Sequence, residues 1–399
     1  MNKKFIIGIC LLFLLFSFSK AEDHNSLNLS KGLNIIADDS SFAMKFGLLL
    51  QPRFEIYDSL NNCNCQGTQI TANSMLRRMR FRFDGFLLSP KLTYAFQLGV
   101  TNNDMNATKG SEGEFSSLIY DAYFDWEFVD KTKLRIGQAK LPGCLSRLMS
   151  FGGLNFLERS YVESQFNTYR DVGLQILNQW SIGDFTVREN LAWSHGEGVN
   201  QKSILDGGYA YSGRIEFYPF GLFVKAGETY EMDLSMEKTP KLLIGASAFY
   251  DDKAHRERGI LGKSLYQSKD ITQYFADFLF KYRGFAAMGE YYYRNAQDPI
   301  TTNSTGAERY VLNGQGYGGQ VSYMISDDMA LGLRYNYLKP DDELISKIGN
   351  RTDYSLGFTK FIFNNKVKLQ ADINYFEQKQ YEKEAQEMLF FRINAIFSI

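Results

Sequence analysis

The sequence predicts an all-β fold, a transmembrane antiparallel β-barrel of about 16 strands. Apolar and polar residues alternate with a period of two along segments about ten residues long, and the links between segments alternate between short and long. The third observation is compositional. The 399 residues include 33 Phe and 25 Tyr, and aromatics make up 15% of the chain, yet the mean hydropathy is −0.29. Such a value excludes a bundle of membrane helices. It suits a wall that shows lipid every second residue and carries aromatic girdles at its rims.

The N-terminus sets the compartment. Lys3 and Lys4 precede an apolar run from Phe5 to Phe18, and Ser19-Lys20-Ala21 is a small-x-small cleavage pattern. Residues 1–21 are therefore expected to be a secretory leader, with Cys10 inside it. Residues 22–43 are expected to form a short periplasmic segment and 44–399 the barrel, in the outer membrane of a Gram-negative bacterium. No later run reaches the roughly 18 apolar residues of a spanning helix. Loss of Lys3, Lys4 and Lys20 leaves 41 basic against 45 acidic residues, a net charge of −4. Neither that balance nor any basic patch or Gly-rich loop suggests a nucleic-acid partner. Cys63-x-Cys65 has no His or third Cys nearby, which makes a poor metal site, and no cofactor is implied.

The strands follow in chain order. In Leu76-Arg77-Arg78-Met79-Arg80-Phe81-Arg82-Phe83-Asp84-Gly85, alternation puts Arg78, Arg80 and Arg82 on one face and Met79, Phe81 and Phe83 on the other. The same pattern runs through 46–56, 92–100 and 118–128. It recurs more loosely near 133–138, 171–177, 185–194, 208–218, 241–250, 270–281, 284–294, 314–325, 329–338, 351–363, 366–376 and 388–399. Short links fall at Ser89-Pro90, Val129-Lys131, Arg283-Gly284, Ser326-Asp328 and Asn364-Asn365. Long polar links fall near 58–75, 103–114, 139–169, 195–207, 252–269, 295–313, 339–350 and 379–387. One stretch, Phe220 to Pro240, breaks the parity. A soluble sandwich has no reason to sort its loops this way, whereas an outer-membrane barrel does.

Leu134-Arg135-Ile136-Gly137-Gln138-Ala139-Lys140-Leu141-Pro142, Phe156-Leu157-Glu158-Arg159-Ser160 and Tyr169-Arg170-Asp171-Val172-Gly173 resemble the phosphate-selective porins O and P of bacterial outer membranes. The arginine-rich strand and the strand from Gly213-Arg214 to Pro219 fit that family too. The resemblance implies a 16-stranded, commonly trimeric pore in which basic residues guide anions through a constriction built partly from inward-folded loops. It does not place phosphate ligands one by one.

If the apolar face meets lipid, the arginines face the lumen. A tight hairpin at Ser89-Pro90 sets Arg82 opposite Gln97, Arg80 opposite Gly99 and Arg78 opposite Thr101, none of them acidic. Arg78, Arg80 and Arg82, with Arg53, Arg188 and Arg214 on other strands, are the candidate pore-lining anion contacts. Lumen acids at Glu55, Asp84, Asp121 and Glu290 oppose them. Lys133 and Arg135 instead face Glu127 and Asp125, as structural pairs. The link 139–169 is too apolar for an exposed loop and is expected to fold inward.

The function these features suggest is passive diffusion of small hydrophilic solutes, with a weak to moderate preference for anions such as phosphate, through a homotrimer in outer-membrane lipid. The alternatives are a structural or adhesive barrel with a closed lumen and, more remotely, a barrel hydrolase. His24, His195 and His255 are the only histidines, and Ser194-His195-Gly196-Glu197-Gly198 lacks the strand-turn-helix setting of a nucleophile elbow.

Overall fold

The structure is a computed structural model that describes residues 33–60, 70–105, 118–201 and 207–399. The expected leader, His24, Cys63 and Cys65 lie outside the described residues. Eight strands form the first half: β1 (Phe42–Ser59), β2 (Thr71–Leu87), β3 (Ser89–Gly99), β4 (Ile119–Val129), β5 (Thr132–Lys140), β6 (Arg170–Ile182), β7 (Phe185–Ser194) and β8 (Ala210–Tyr218). Eight more complete it: β9 (Lys241–Arg256), β10 (Ser264–Tyr282), β11 (Phe285–Ala296), β12 (Gly314–Ser326), β13 (Met329–Pro340), β14 (Asn350–Phe363), β15 (Val367–Lys379) and β16 (Gln386–Ser398).

Each strand pairs antiparallel with its neighbour in sequence, and β16 returns to β1 with Arg392 opposite Glu55 and Asn394 opposite Arg53. Closure matters physically. A sheet edge in hydrocarbon would leave a row of unpaired backbone groups, and a closed ring has none. A short strand, Leu33–Ile36, lies antiparallel along Ala43–Phe46 at the start of β1.

The predicted hairpin register holds, with Arg80 opposite Gly99 and Arg82 opposite Gln97. Lys133 pairs with Glu127 at 3.5 Å and Arg135 with Asp125 at 2.7 Å, as cross-strand partners. The two faces separate by chemistry. Phe124, Trp126, Tyr317, Leu333 and Tyr354 stand exposed on the outer wall, while Asp125, Gln320, Arg80 and Ser355 are buried toward the lumen. On the outside, Phe83 from the arginine-rich strand packs against Phe46 and Phe96.

The stretch that broke the loop parity, Phe220 to Pro240, lies in the link 219–240 between β8 and β9, which sits at the short-turn end and folds inward. Its main chain is gathered by one lysine: Lys281 on β10 donates to the carbonyls of Gly227, Tyr230 and Met232 at 2.6–2.8 Å. Its acids are used locally. Glu228 pairs with Arg188 at 2.7 Å, and Asp233 accepts from the Gly284 amide at 2.8 Å. A long link at this end is therefore a lumen element, which reconciles it with the barrel pattern.

Gly137 on β5 has φ +127°, and a Cβ there would sit 2.3 Å from the Ala122 carbonyl oxygen on β4. Replacement by Val should block barrel closure, seen as loss of the compact, heat-modifiable form in SDS gels. Gly183, with φ +57° and nothing within 4 Å, should accept Ala at a cost of about 1 kcal/mol and keep that form.

Candidate functional site: the constriction

The loop between β5 and β6, residues 141–169, enters the lumen as its composition predicts. Leu141, Val162 and Phe166 join a buried apolar cluster with Phe249, Phe275, Tyr292 and Leu338 of the wall. Leu145 and Met149 pack with Leu243, Leu279 and Met288. An apolar loop can fill a porin lumen only if its backbone groups also find partners. The wall supplies them. Lys140 donates to the carbonyls of Leu148 and Met149, and Lys368 to that of Gly152 at 2.7 Å. Arg53 donates to the Leu157 carbonyl at 3.0 Å and Gln370 to the Leu154 carbonyl at 3.1 Å. Asp277 and Glu290 accept from the Leu145 and Ser146 amides at 3.1 and 2.9 Å.

From the opposite side, the 219–240 turn braces the same loop. The Glu231 amide donates to the Gly153 carbonyl at 2.9 Å, and its carboxylate accepts from the Asn155 amide at 2.7 Å.

The loop divides the lumen into an outer cavity of about 580 Å³ and an inner one of about 440 Å³. Both are lined by Arg80, Arg147, Phe151, Arg159 and Arg170, so these five residues mark the neck. Phe151 sits among cations, with the guanidinium carbons of Arg78, Arg159 and Arg80 at 3.5, 3.9 and 5.0 Å from its ring centre. Each contact adds roughly 1 kcal/mol of attraction and holds the guanidinium planes in place.

The arginine stripe is not unpaired, contrary to the expectation from its hairpin partners. Glu158 of the loop takes Arg53, Arg77 and Arg78 at 2.5–2.8 Å. Arg80 binds Asp104 at 2.7 Å and Arg82 binds Asp84 at 2.8 Å. The neutralising acids come from loops and from the same strand, not from across the hairpin, so strand pairing alone could not reveal them. Among the opposing acids, Asp121 is held by Arg170 at 2.8 Å, and Glu290 serves the loop backbone.

Arg188 and Arg214 line neither neck cavity. Arg214 is anchored to Glu216, Asp277, Ser247 and the Gly143 carbonyl, and Arg188 to Glu228 and Gln179. Both instead line a separate cavity of about 460 Å³, with Lys131, Lys133 and Glu216. Arg147, Phe151 and Arg159 were missed as site residues because a loop has no periodicity to read, and Arg170 because it is the first residue of β6, where the alternation only begins. The Phe156-Leu157-Glu158-Arg159 and Tyr169-Arg170-Asp171 motifs were the available signal.

Arg159 differs from its neighbours. It donates only to the carbonyls of Ser146 and Met149, at 2.9 and 2.7 Å, with no carboxylate among the described residues. Burial and then Arg147 pull its pKa down to about 10, so it stays charged at neutral pH. For Glu158, burial opposes the charge, but Arg78, Arg53 and Arg77 outweigh it and hold the carboxyl well below the usual range. The outer cavity is lined by ten arginines against four carboxylates, and the inner one by eight basic side chains against Asp121 alone among acidic ones. The net field is positive.

A closed 16-strand barrel with a charged neck is the architecture of an outer-membrane porin. Family comparison goes one step further: the chain belongs to the phosphate-selective porin O and P family, whose model matches residues 57–397. A protein of Aquifex aeolicus (strain VF5), named only as uncharacterised, is 22% identical over 369 residues, 86% of this chain and 84% of that one. The outer-membrane channel DcaP of Acinetobacter baumannii shares the fold with a TM-score of 0.57 at 10% identity, over 92% of this chain and 99% of its own. An anion-selective porin from Comamonas acidovorans has a TM-score of 0.55 at 9% identity, over 90% and 100%.

Deleting 145–156 should raise single-channel conductance in planar bilayers, because it removes Arg147 and Phe151 from the neck. An unchanged conductance in an assembled barrel would mean the loop does not limit flow. The depressed Glu158 pKa gives a second expectation. A carboxyl with a lowered pKa keeps its ion pairs at pH values above that pKa and loses them only as pH falls through it. The Glu158 ion pairs should thus persist from pH 7 to about 4, where an ordinary glutamate is half protonated, so that the selectivity difference between wild type and Glu158→Gln is the same at both ends of that range. Glu158→Gln, which releases three arginines, should shift the reversal potential toward anions.

Proposed function

We propose that this chain is a channel rather than an enzyme, passing small hydrophilic solutes by passive diffusion with a preference for anions, phosphate among them. The observation that carries the reading is the neck, where Arg159 faces two basic cavities without a carboxylate of its own. A low-dielectric wall focuses such a field on permeating ions. Most neighbouring guanidiniums are already satisfied by acids, so the donors offered to a solute are few and each contact is weak. That suits conduction, since an ion held by many converging donors would leave slowly. The two cavities meeting at one neck favour an open pore over a closed structural barrel. We carry over the homotrimer that the family resemblance implies, and the leader 1–21 that would bring the chain to the outer membrane.

Reversal potential in a sodium chloride gradient tests the reading. Wild type should favour chloride. Arg159→Gln should reduce that preference, and Arg80→Glu with Arg82→Glu should move the pore toward cations. A wild-type pore without chloride preference would sink the proposal, and no shift in either variant would mean the arginines only wet the wall.

A further inference from the structure

The outer cavity carries a feature that an inorganic-anion pore does not need. Lumen-facing positions of a porin strand are ordinarily polar. At the outer end of β16 the alternation fails in Met388-Leu389-Phe390-Phe391, four apolar residues in a row. Met388 and Phe390 share a face with Arg392, which pairs with Asp372 inside the barrel, so both point into the lumen. Phe376 on β15 does the same, and all three line the outer cavity.

These side chains form a continuous track with their neighbours. The Phe390 ring lies 5.5 Å from that of Tyr57 and 6.0 Å from that of Phe376, in a stacked geometry with the latter. Phe376 in turn covers one face of the Arg351 guanidinium at 3.6 Å, and Tyr161 of the inserted loop covers the other at 3.8 Å. Met388 and Phe390 are only partly buried and belong to none of the apolar clusters that hold the loop. Loop packing therefore does not explain them. An apolar patch kept facing water is a contact surface for something else.

Three cations share that cavity without an ion-paired carboxylate among the described residues: Arg159, Arg258, which donates to the Ser164 carbonyl, and Arg334, which donates to the Glu158 carbonyl. A volume of about 580 Å³ lies in the range that holds an organic molecule of drug size, roughly 300–1,000 Å³.

We propose that the outer cavity selects organic anions, each an acidic group on an apolar or aromatic body, whose body slides on the partly exposed Tyr57–Phe390–Met388 track, backed by the buried Phe376, while its carboxylate or phosphate exchanges among Arg159, Arg258 and Arg334. The proposal rests on the anion preference above and narrows it to a solute class. A ring contact contributes a modest attraction, enough to concentrate the solute at the mouth and weak enough to release it through the neck.

The test is inhibition of chloride current through the full-length pore in planar bilayers by sodium benzoate, sodium acetate and neutral benzamide. Benzoate should halve the chloride current at a concentration about fivefold below that of acetate, the worth of one ring contact. Benzamide should require more than benzoate. Met388→Ser with Phe390→Ser should bring the benzoate value to that of acetate. Equal values for benzoate and acetate in the wild-type pore overturn the inference, whether or not the variant assembles, and so does benzamide acting at the benzoate concentration. A chloride-selective pore with equal values leaves the anion reading standing. A pore without chloride preference fails at the earlier step.

Discussion

The pore depends on main-chain carbonyls of the inserted loop meeting cations of the wall. A loop as apolar as 141–169 would be expelled from a water-filled lumen if its peptide groups lost their hydration without replacement, at a cost of about 1–3 kcal/mol for each unmet group. Lys140, Lys368 and Arg53 remove that cost by donating to Leu148, Met149, Gly152 and Leu157. None of these four bonds is optional for the neck, because Phe151 lies on the stretch they pin and Arg147 directly before it.

The same economy governs the arginines. A buried guanidinium without a partner is unfavourable by several kcal/mol, and one carboxylate can take more than one fork of donors. Glu158 does so for three arginines, which leaves the cluster positive while giving each member a carboxylate partner. Neutralisation is thus local and incomplete. The surplus charge then falls on Arg159, Arg258 and Arg334, which donate to carbonyl dipoles that hold them without cancelling them.

Most of the barrel was legible in the sequence because a wall between lipid and water imposes a period of two on every strand. Arg80 opposite Gly99 and Arg135 opposite Asp125 followed from turn position alone. The inward fold of 141–169 was legible too, from its leucines and phenylalanines. Its partners were not. Glu158 reaches Arg78 across 80 residues, and Lys368 reaches Gly152 across 216. Contacts of that separation leave no local pattern, so a stripe that read as unpaired proved to be paired, and Arg188 and Arg214 hold loop and strand acids away from the neck. The stretch Phe220 to Pro240 stood out only as an irregularity, since nothing in it announces Lys281 as its anchor.

That separation also orders events in time. The loop 141–169 and the turn 219–240 leave the barrel from strands β5 to β9, but Lys281, Gln370 and Lys368, which grip them, sit on β10 and β15. Lys140, Arg53 and Arg188 on early strands supply part of the grip, but neither insert has its full set of partners while the chain is only half paired. The neck therefore takes shape together with the last strands, as β16 finds β1, rather than being stored in an early hairpin. Contacts of such long range close slowly. A chain stalled before closure would hold strands already paired while its channel was still without a waist, so barrel assembly and maturation of the pore are one late, concerted step.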